Sequence, residues 1–323
     1  MNYRSLGRTK LQISEIGFGA WGIGKTLWKG AEDPESLRAL HTAIDLGLNF
    51  IDTALVYGNG HSEQLISKIL KERSERIYVA SKVPPKNFKW PAQPGISIDQ
   101  VFPPDHVTIC AEKSLKNLDV DCIDLLQLHV WNVEWLSEPD WVAPIDQLKQ
   151  DGKIQYFGVS INDHQPENAV RLIESGLVDS VQVIFNIFDQ SPAARLFPAC
   201  VEHNIGVIVR VSLDEGGLTG KIDRNTTFPS GDFRNSYFAG DRKLQVEERT
   251  KKLENFLGPE TETLPELALK FCLGFDAVST IIPGMRTVSH AQSNCSISEK
   301  NKLSSETIKR LAEHAWQRNF YLD

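Results

Sequence analysis

The sequence predicts an α/β fold, a single (β/α)8 TIM barrel that spans residues 1–323. Short apolar runs alternate with helix-length segments along the whole chain, and eight such runs are present. Neighbouring strands separated by helices pair in parallel, and closing the sheet removes both of its edges. A chain of 323 residues is long enough for one such barrel, and no repeat or linker marks a domain boundary.

Each of the eight predicted strands is a run of apolar residues short enough to be fully buried. They cover residues 15–18, 48–52, 77–80, 122–128, 154–159, 181–185, 206–210 and 277–282.

Helix signals lie between these runs. Residues 36–46 carry apolar side chains at helical spacing, with Asp33 as the expected N-cap and Gly47 beyond the end. Residues 62–71 show the same spacing, and a third amphipathic segment follows Pro104. The alternation of strand and helix therefore starts early and continues.

Two long irregular stretches, residues 84–102 and 213–241, each follow a predicted strand. The active site of a barrel is built from loops at the carboxyl ends of its strands, so these segments are expected to form walls or lids of a site. The alternative is that they are flexible surface insertions.

Composition excludes several classes of function. The 35 basic and 42 acidic residues give a net charge of −7, which argues against a broad nucleic-acid surface. No run approaches the ~18 apolar residues of a membrane span. The five cysteines show no metal-binding spacing, and the first residues lack a secretory signal. We therefore expect a cytoplasmic protein without nucleic-acid, membrane or metal partners.

Polar residues stand where predicted strands end. Asp52 ends the second strand, Tyr57 follows five residues later, Lys82 follows the third strand and His129 the fourth. A phenol with a pKa of about 10 is a weak acid near neutrality, and a nearby ammonium strengthens it. Asp52 can hold Lys82, and His129 can form a hydrogen bond to a reacting oxygen. Each residue alone is more often structural, but the set suits proton transfer to a carbonyl oxygen.

These residues lie in a recognisable pattern. Residues 47–54, which read Gly-Leu-Asn-Phe-Ile-Asp-Thr-Ala, closely resemble the signature of the aldo-keto reductase superfamily. The resemblance covers essentially the whole chain, through Tyr57-Gly58, Ser62-Glu63, Ser81-Lys82, residues 124–129, residues 152–154, residues 158–160 and residues 282–284. It implies a catalytic tetrad of Asp52, Tyr57, Lys82 and His129. It also implies a barrel that binds NADPH/NADP⁺ without a Rossmann domain, in agreement with the absence of a G-x-G-x-x-G turn.

The resemblance assigns cofactor-binding positions around the nicotinamide. Ser160, Asn162 and Gln182 match residues that bind its carboxamide, although Ile161 separates the first two where the family has them adjacent. Arg210 stands where the family stacks an aromatic ring on the nicotinamide. A stacked guanidinium would favour the neutral reduced ring over the cationic oxidised one. The alternatives are ordinary strand-end hydrogen bonds for Ser160 and Gln182, and an ion pair of Arg210 with an acidic neighbour such as Asp214 or Glu215.

Further positions follow for the rest of the cofactor. The loop after the seventh strand is expected to cradle the pyrophosphate, through Ser212, Leu213, Gly217 and Lys221. Past the eighth strand, Arg286 and a helix N-terminus are expected to bind the 2′-phosphate. His290, Ser293 and Asn294 match positions near the adenine and ribose, and Gly284, just before Arg286, completes the cofactor-binding set.

Aromatic residues are candidates for the substrate pocket. Trp21, Trp28, Phe88, Trp90 and Trp131 lie in or near loops at the expected catalytic rim. They could equally pack those loops.

The resemblance thus implies an NADP-dependent aldo-keto reductase that reduces a small-molecule aldehyde or ketone. The alternatives are an NADPH-binding regulatory or sensor protein with slow turnover, an alcohol or sugar dehydrogenase that works in the oxidative direction, and a metal-dependent barrel hydrolase. Neither the substrate nor the oligomeric state can be predicted.

Overall fold

The computed structural model describes residues 1–316 and contains two sheets. Its strands are β1 (Tyr3–Ser5), β2 (Gln12–Ser14), β3 (Phe18–Gly19), β4 (Phe50–Asp52), β5 (Tyr78–Val83), β6 (Ile123–Leu128), β7 (Ile154–Ser160), β8 (Ser180–Ile184), β9 (Gly206–Arg210) and β10 (Val278–Ile281). The α-helices within that range are α1 (Asp33–Asp45), α2 (His61–Glu72), α3 (Ile98–Val101), α4 (Pro104–Leu118), α5 (Ala143–Gln150), α6 (Val170–Glu174), α7 (Leu196–Glu202), α8 (Arg234–Tyr237), α9 (Arg242–Leu253), α10 (Leu264–Leu273), α11 (Val288–Cys295) and α12 (Ser305–Leu311).

The main sheet has eight parallel strands, and each strand from β3 to β10 pairs with the next one in the chain. Backbone hydrogen bonds also join the segment just before β3 to β10: Gly17 N donates to Ile281 O at 2.8 Å, and Ile281 N donates to Glu15 O at 3.0 Å. The prediction of eight parallel strands with intervening helices is confirmed.

Helix boundaries differ slightly from the predictions. The first helix, α1, begins at Asp33, so the N-cap is Glu32 and the prediction of Asp33 as N-cap was wrong by one residue. Pro34 has no backbone N–H, so it leaves no unpaired donor in the first turn and is well suited to the start of a helix. Gly47 follows the helix with φ of 90°, a conformation that favours glycine. The helices α2 and α4 confirm the other two predictions.

Alternation along the strands separates two apolar layers. On β6, Leu126 and Leu128 join the outer core between the sheet and the helices, whereas Leu125 joins a smaller inner core. Gln127 alternates with them and is buried on the inner side.

A hairpin of β1 and β2, which sequence reasoning missed because each strand has three residues, covers the amino ends of the strands of the main sheet. Leu6 packs against Gly206, the first residue of β9. The inner core comprises Leu6, Leu11, Ile13, Phe50, Ala80, Leu125, Ile208 and Ile282. This end of the sheet is therefore closed by apolar packing, which leaves the carboxyl ends for a site. Among the described residues, no helix has the length and apolar character that crossing a membrane requires.

Truncating the hairpin's inner contact should destabilise the protein. We expect Leu6→Ala to lower the free energy of unfolding by about 2–5 kcal/mol, because it opens a cavity in the inner core. Val201→Ala, at a position 61% exposed on α7, should change it by less than about 0.5 kcal/mol. Urea denaturation measures the free energy of unfolding of both variants. Equal losses would show that the hairpin contact does not stabilise the amino end of the main sheet.

Candidate active site

A buried ion pair lies at the centre of the site. Lys82, on β5, has a fully buried side chain whose Nζ donates to Asp52 Oδ1 at 2.5 Å and to Thr53 O at 2.7 Å. Burial lowers the pKa of Lys82, and the negative charge of Asp52 opposes that shift. Because an isolated buried ammonium would be very costly, the pair must stay together.

The second oxygen of Asp52 accepts hydrogen bonds from two side-chain amides. Gln182 Nε2 donates to Oδ2 at 2.7 Å from β8, and Gln127 Nε2 donates to the same oxygen at 3.2 Å from β6. The resemblance assigned Gln182 to the nicotinamide, and here its amide bonds the carboxylate. Since a primary amide carries two N–H groups and a carbonyl, this bond leaves Gln182 capacity for a further partner.

Tyr57 lies in the turn after β4, directly above the ion pair. The Nζ of Lys82 is 5.2 Å from the centre of its ring. Gly24 allows the segment after β3 to pass close by, because a Cβ there would lie 2.9 Å from the carbonyl carbon of Tyr57. The site is thus packed tightly around the phenol.

The pKa of Tyr57 is raised, first by burial and then by the charge of Asp52, with Arg210 opposing. The expectation that Lys82 would make the phenol a stronger acid therefore does not hold in this arrangement. The physical reason is that Asp52 neutralises Lys82, while burial disfavours the phenolate.

His129 follows β6 and faces Tyr57, with ring centres 5.8 Å apart. Burial, Lys82 and Arg210 hold its pKa well below the ordinary value of 6.5, so the imidazole is neutral at pH 7. Its Nδ1 is buried and has no hydrogen-bond partner in the described part of the chain. A neutral imidazole offers one donor and one acceptor nitrogen.

Indole rings flank the two catalytic candidates. Trp21 stacks on Tyr57 with centres 6.1 Å apart, and Trp28 meets the edge of Trp21 at 6.0 Å. Trp90, from the segment 84–102, meets the edge of His129 at 5.6 Å. These three tryptophans therefore lie at the site, as expected for pocket residues.

Trp131 does not lie with them, which corrects its assignment to the pocket. Its ring is fully buried against Trp135 and Trp141, and its Nε1 donates to Asn168 O at 3.1 Å. Because β6 ends at Leu128, strand alternation does not extend to Trp131, and its ring packs into the outer core instead of beside His129. Phe88 is 64% exposed and contacts Trp90 at 6.4 Å.

The two departures from the family pattern are bonded to each other. Arg210 Nη2, at the end of β9, donates to Ile161 O at 2.9 Å and forms an ion pair with Asp163. The sequence had suggested Asp214 or Glu215 as its acidic partner. Asp214 instead accepts from Tyr237 Oη at 2.5 Å and from Arg242 at 2.8 Å.

The remaining residues near the expected nicotinamide position differ in whether their side chains already have hydrogen-bond partners. Asn162 Oδ1 accepts from Ala92 N at 3.2 Å, and its Nδ2 donates to Gln165 at 3.1 Å, so it ties down the segment 84–102. Ser160 is buried and pairs in register with Gln182. Ser212 Oγ is buried, and no partner for it occurs within residues 1–316.

The loop after β9 has an unusual backbone. Val211, Asp214 and Glu215 have φ between 50° and 57°, and Gly216 has φ of 101°. Such conformations cost free energy in a β-branched residue, and they occur in turns whose amides bind anions. Leu213 lies partly buried in this loop, and Gly217 follows it, where a Cβ would meet Asp214 Oδ2 at 2.3 Å.

Three cationic or basic side chains gather beyond β10. Burial lowers the pKa of His290, and the positive charges of Arg286 and Lys221 lower it further. Arg286 Nη1 also donates to Lys29 O at 2.8 Å, and its guanidinium lies 5.1 Å from the ring centre of Trp28. Gly284 and Ser293 are exposed, whereas Asn294 is buried on α11.

The N-terminus of α11 is less available to a phosphate than expected. Val288 N, its first amide, donates to Glu35 Oε1 at 2.9 Å, and the Thr287 side chain accepts from His290 N. A carboxylate therefore already occupies part of this helix end, so Arg286 and Lys221 supply the side-chain charge that would attract an anion here.

Sequence reasoning missed two residues of this site. Gln127 could have been found, because a polar residue at an inward position of an apolar strand requires a partner. Asp163 carries no such signal, since an acidic residue in a loop is ordinary.

Comparison with known proteins supports the assignment that this geometry suggests. Residues 15–315 match the model of the Aldo/keto reductase family. The uncharacterized oxidoreductase YqkF of Bacillus subtilis is 28% identical over 98% of this chain and 97% of its own length. The NADH-specific methylglyoxal reductase of Escherichia coli is 27% identical over 90% of this chain and 91% of its length. The holo structure of aldo-keto reductase AKR11C1 from Bacillus halodurans superposes with a TM-score of 0.76, at 28% identity, over 99% of each chain. The chain belongs to the aldo/keto reductase family.

Proposed function

We propose that this protein is an NADPH-dependent oxidoreductase that reduces a small aldehyde or ketone to an alcohol. The observation that carries the proposal is the buried pair of Lys82 and Asp52 beneath Tyr57, with a neutral His129 beside the phenol. The bonds between residues 15–17 and β10 support a closed (β/α)8 barrel as the scaffold.

In this proposal Tyr57 is the proton donor. Its raised pKa keeps the phenol protonated at neutral pH, as an acid must be before it reacts. NADPH, when bound, supplies the hydride that adds to the carbonyl carbon. The Tyr57 hydroxyl donates its proton to the carbonyl oxygen, and an N–H of neutral His129 can stabilise the charge that develops there. Lys82, paired with Asp52 beneath the phenol, offsets only part of the cost that burial and Asp52 add to forming the phenolate.

Oxidation of an alcohol would use the same residues in reverse. An alcohol dehydrogenase working through Tyr57 needs the phenolate as a base, and burial next to Asp52 disfavours that form. The regulatory alternative keeps the same cofactor but needs no proton donor, and loss of turnover on mutation of Tyr57 separates it from an enzyme.

Several residues fit a nicotinamide cofactor. Ser160 and Gln182 lie side by side on β7 and β8. Ser212, whose Oγ has no hydrogen-bond partner within residues 1–316, lies in the loop with left-handed backbone that is expected at the pyrophosphate. Lys221 and Arg286 favour a ligand with an additional phosphate, which supports NADPH over NADH. The relative from E. coli is NADH-specific by name, so cofactor preference needs its own test.

Trp21, Trp28 and Trp90 are proposed as walls of the substrate pocket. Rings on both sides of Tyr57 and His129 offer apolar surface to the carbonyl compound.

Removing the phenol hydroxyl should stop the chemistry. We expect Tyr57→Phe to lower kcat for NADPH-dependent carbonyl reduction by roughly 10²–10⁴-fold, because the proton donor is lost while the ring packing remains. The measurement is NADPH consumption on a panel of aldehydes and ketones, with NADPH binding followed by tryptophan fluorescence. Tyr156→Phe, at the opposite end of the inner core, is the matched control and should keep full activity. Equal activity of Tyr57→Phe and wild type would refute the role.

Cofactor preference should depend on Arg286. We expect Arg286→Ala to weaken NADPH binding by about 10–100-fold and to leave NADH binding unchanged, because a hydrogen bond to a charged group contributes about 1.5–3 kcal/mol. Arg234→Ala removes the other guanidinium that stacks on Trp28, 4.4 Å from its ring centre, and controls for loosening of that loop. If both variants bind NADPH and NADH more weakly by the same factor, Arg286 does not recognise the 2′-phosphate.

The neutral state of His129 has a consequence for stability. Its pKa is lowered on folding, so the unfolded chain takes up the proton first, and stability falls as pH drops below the unfolded value near 6.5. Relative to His129→Gln, the wild type should lose about 1 kcal/mol of unfolding free energy between about pH 7 and about pH 5.5. Urea denaturation at both pH values tests this, and parallel losses in the two proteins would contradict it.

A further inference from the structure

Gln127 is a buried amide with no role in the chemistry described above. It lies on β6 two residues before His129, in register with Lys82 on β5 and with Gly158 on β7. Its side chain is fully buried, and its Nε2 donates to Asp52 Oδ2 at 3.2 Å.

An amide at this position needs an explanation. The neighbouring residues Leu125, Leu126 and Leu128 are all apolar and buried, so leucine would suit the strand. Leaving a buried polar group unpaired costs about 1–3 kcal/mol, and the Gln127 carbonyl Oε1 has no partner within residues 1–316. The hydrogen bond to Asp52 is therefore the contact that the amide serves.

The next strand leaves room for this amide. A Cβ at Gly158 would lie 3.4 Å from Cγ of Gln127 and 2.8 Å from Ser180 O. A Cβ there would clash with Ser180 on β8 and would come into van der Waals contact with Gln127. The strand next to Gln127 is thus compatible with its position below Asp52.

The two amides on Asp52 differ in where they lie. Gln182 is in register with Ser160 at the carboxyl end of β7, whereas Gln127 is in register with Gly158, two residues deeper. Under the proposed function, Gln182 shares its hydrogen bonds with the cofactor, so Gln127 is the amide that serves only the protein.

We propose that Gln127 is a positioning residue for proton transfer: it holds the second oxygen of Asp52, so that the first stays on Lys82 beneath Tyr57. The proposal rests on the proposed function. Without this amide, Gln182 alone holds that oxygen of Asp52, and the ion pair between Asp52 and Lys82 is weakened.

The loss should appear in the pH dependence of the reaction. The charged or titratable groups that face Lys82 are Asp52 and Tyr57 from β4 and its turn, Glu63 from α2, His129 after β6 and Arg210 on β9. Of these, Asp52 makes the direct ion pair. A weaker pair lowers the pKa of Lys82, so its ammonium is lost at lower pH and the high-pH limb of kcat moves down.

The test compares Gln127→Met, which keeps the length of the side chain without the donor, with Ser180→Ala. Ser180 is a matched control because it is buried against the same glycine and makes no bond to Asp52. We expect Gln127→Met to lower kcat by about 10–100-fold and to move its high-pH limb down by about one unit, with KM and NADPH affinity unchanged. Ser180→Ala should match the wild type.

A purely structural role gives a different result. Equal falls in kcat and NADPH affinity together with a lower melting temperature, or a pH profile identical to that of wild type, would overturn the proposal. If Gln127→Met does not fold, Gln127→Glu replaces it, since the introduced carboxyl donates to Asp52 only while protonated. Its activity relative to wild type should then fall as pH rises, and a constant ratio would overturn the proposal.

One measurement does not depend on turnover. The side-chain ammonium signal of Lys82, assigned by its absence in Lys82→Met, can be followed by NMR as pH rises. It should titrate at lower pH in Gln127→Met than in wild type or Ser180→Ala. Wild type without carbonyl reduction refutes the proposed function, whereas an unshifted Lys82 titration refutes the role of Gln127.

Discussion

The ion pair between Lys82 and Asp52 is the interaction on which the rest of the site depends. A fully buried ammonium is stable only beside a counter-charge, and Asp52 is in turn held by amides from two other strands. The same pair affects its neighbours. Asp52 helps to raise the pKa of Tyr57, and Lys82 helps to keep His129 neutral.

The main sheet brings these groups together because the carboxyl ends of its parallel strands lie at the same edge. Loops then enclose the site: Phe233 N donates to Leu27 O at 2.7 Å, and Lys29 N donates to Asp232 Oδ2 at 3.1 Å. These bonds join the segment 213–241 to the loop after β3, across the rim that carries Tyr57. Burial of the phenol and the imidazole follows from this enclosure, and their shifted pKa values follow from burial.

Ile161 and Arg210 are joined by a hydrogen bond. The loop after β7 brings Asp163 to Arg210, so the arginine is paired before any ligand binds. A paired guanidinium presents less net charge to a nicotinamide than the isolated one that the sequence suggested. The preference of Arg210 for the reduced nicotinamide over the oxidised one is therefore expected to be weaker.

Local patterns in the sequence determined the eight strands, the early helices and the four catalytic candidates, because apolar periodicity and a contiguous motif are properties of neighbouring residues. Only the tertiary structure decided that Gln182 bonds Asp52, a residue 130 positions away, that Arg210 pairs with Asp163 and that Trp131 packs into the outer core. It also showed that burial and Asp52 raise the pKa of Tyr57, whereas the sequence predicted that Lys82 would lower it. The physical reason is that partner choice and desolvation depend on which distant side chains share a low-dielectric space, and no local pattern encodes that.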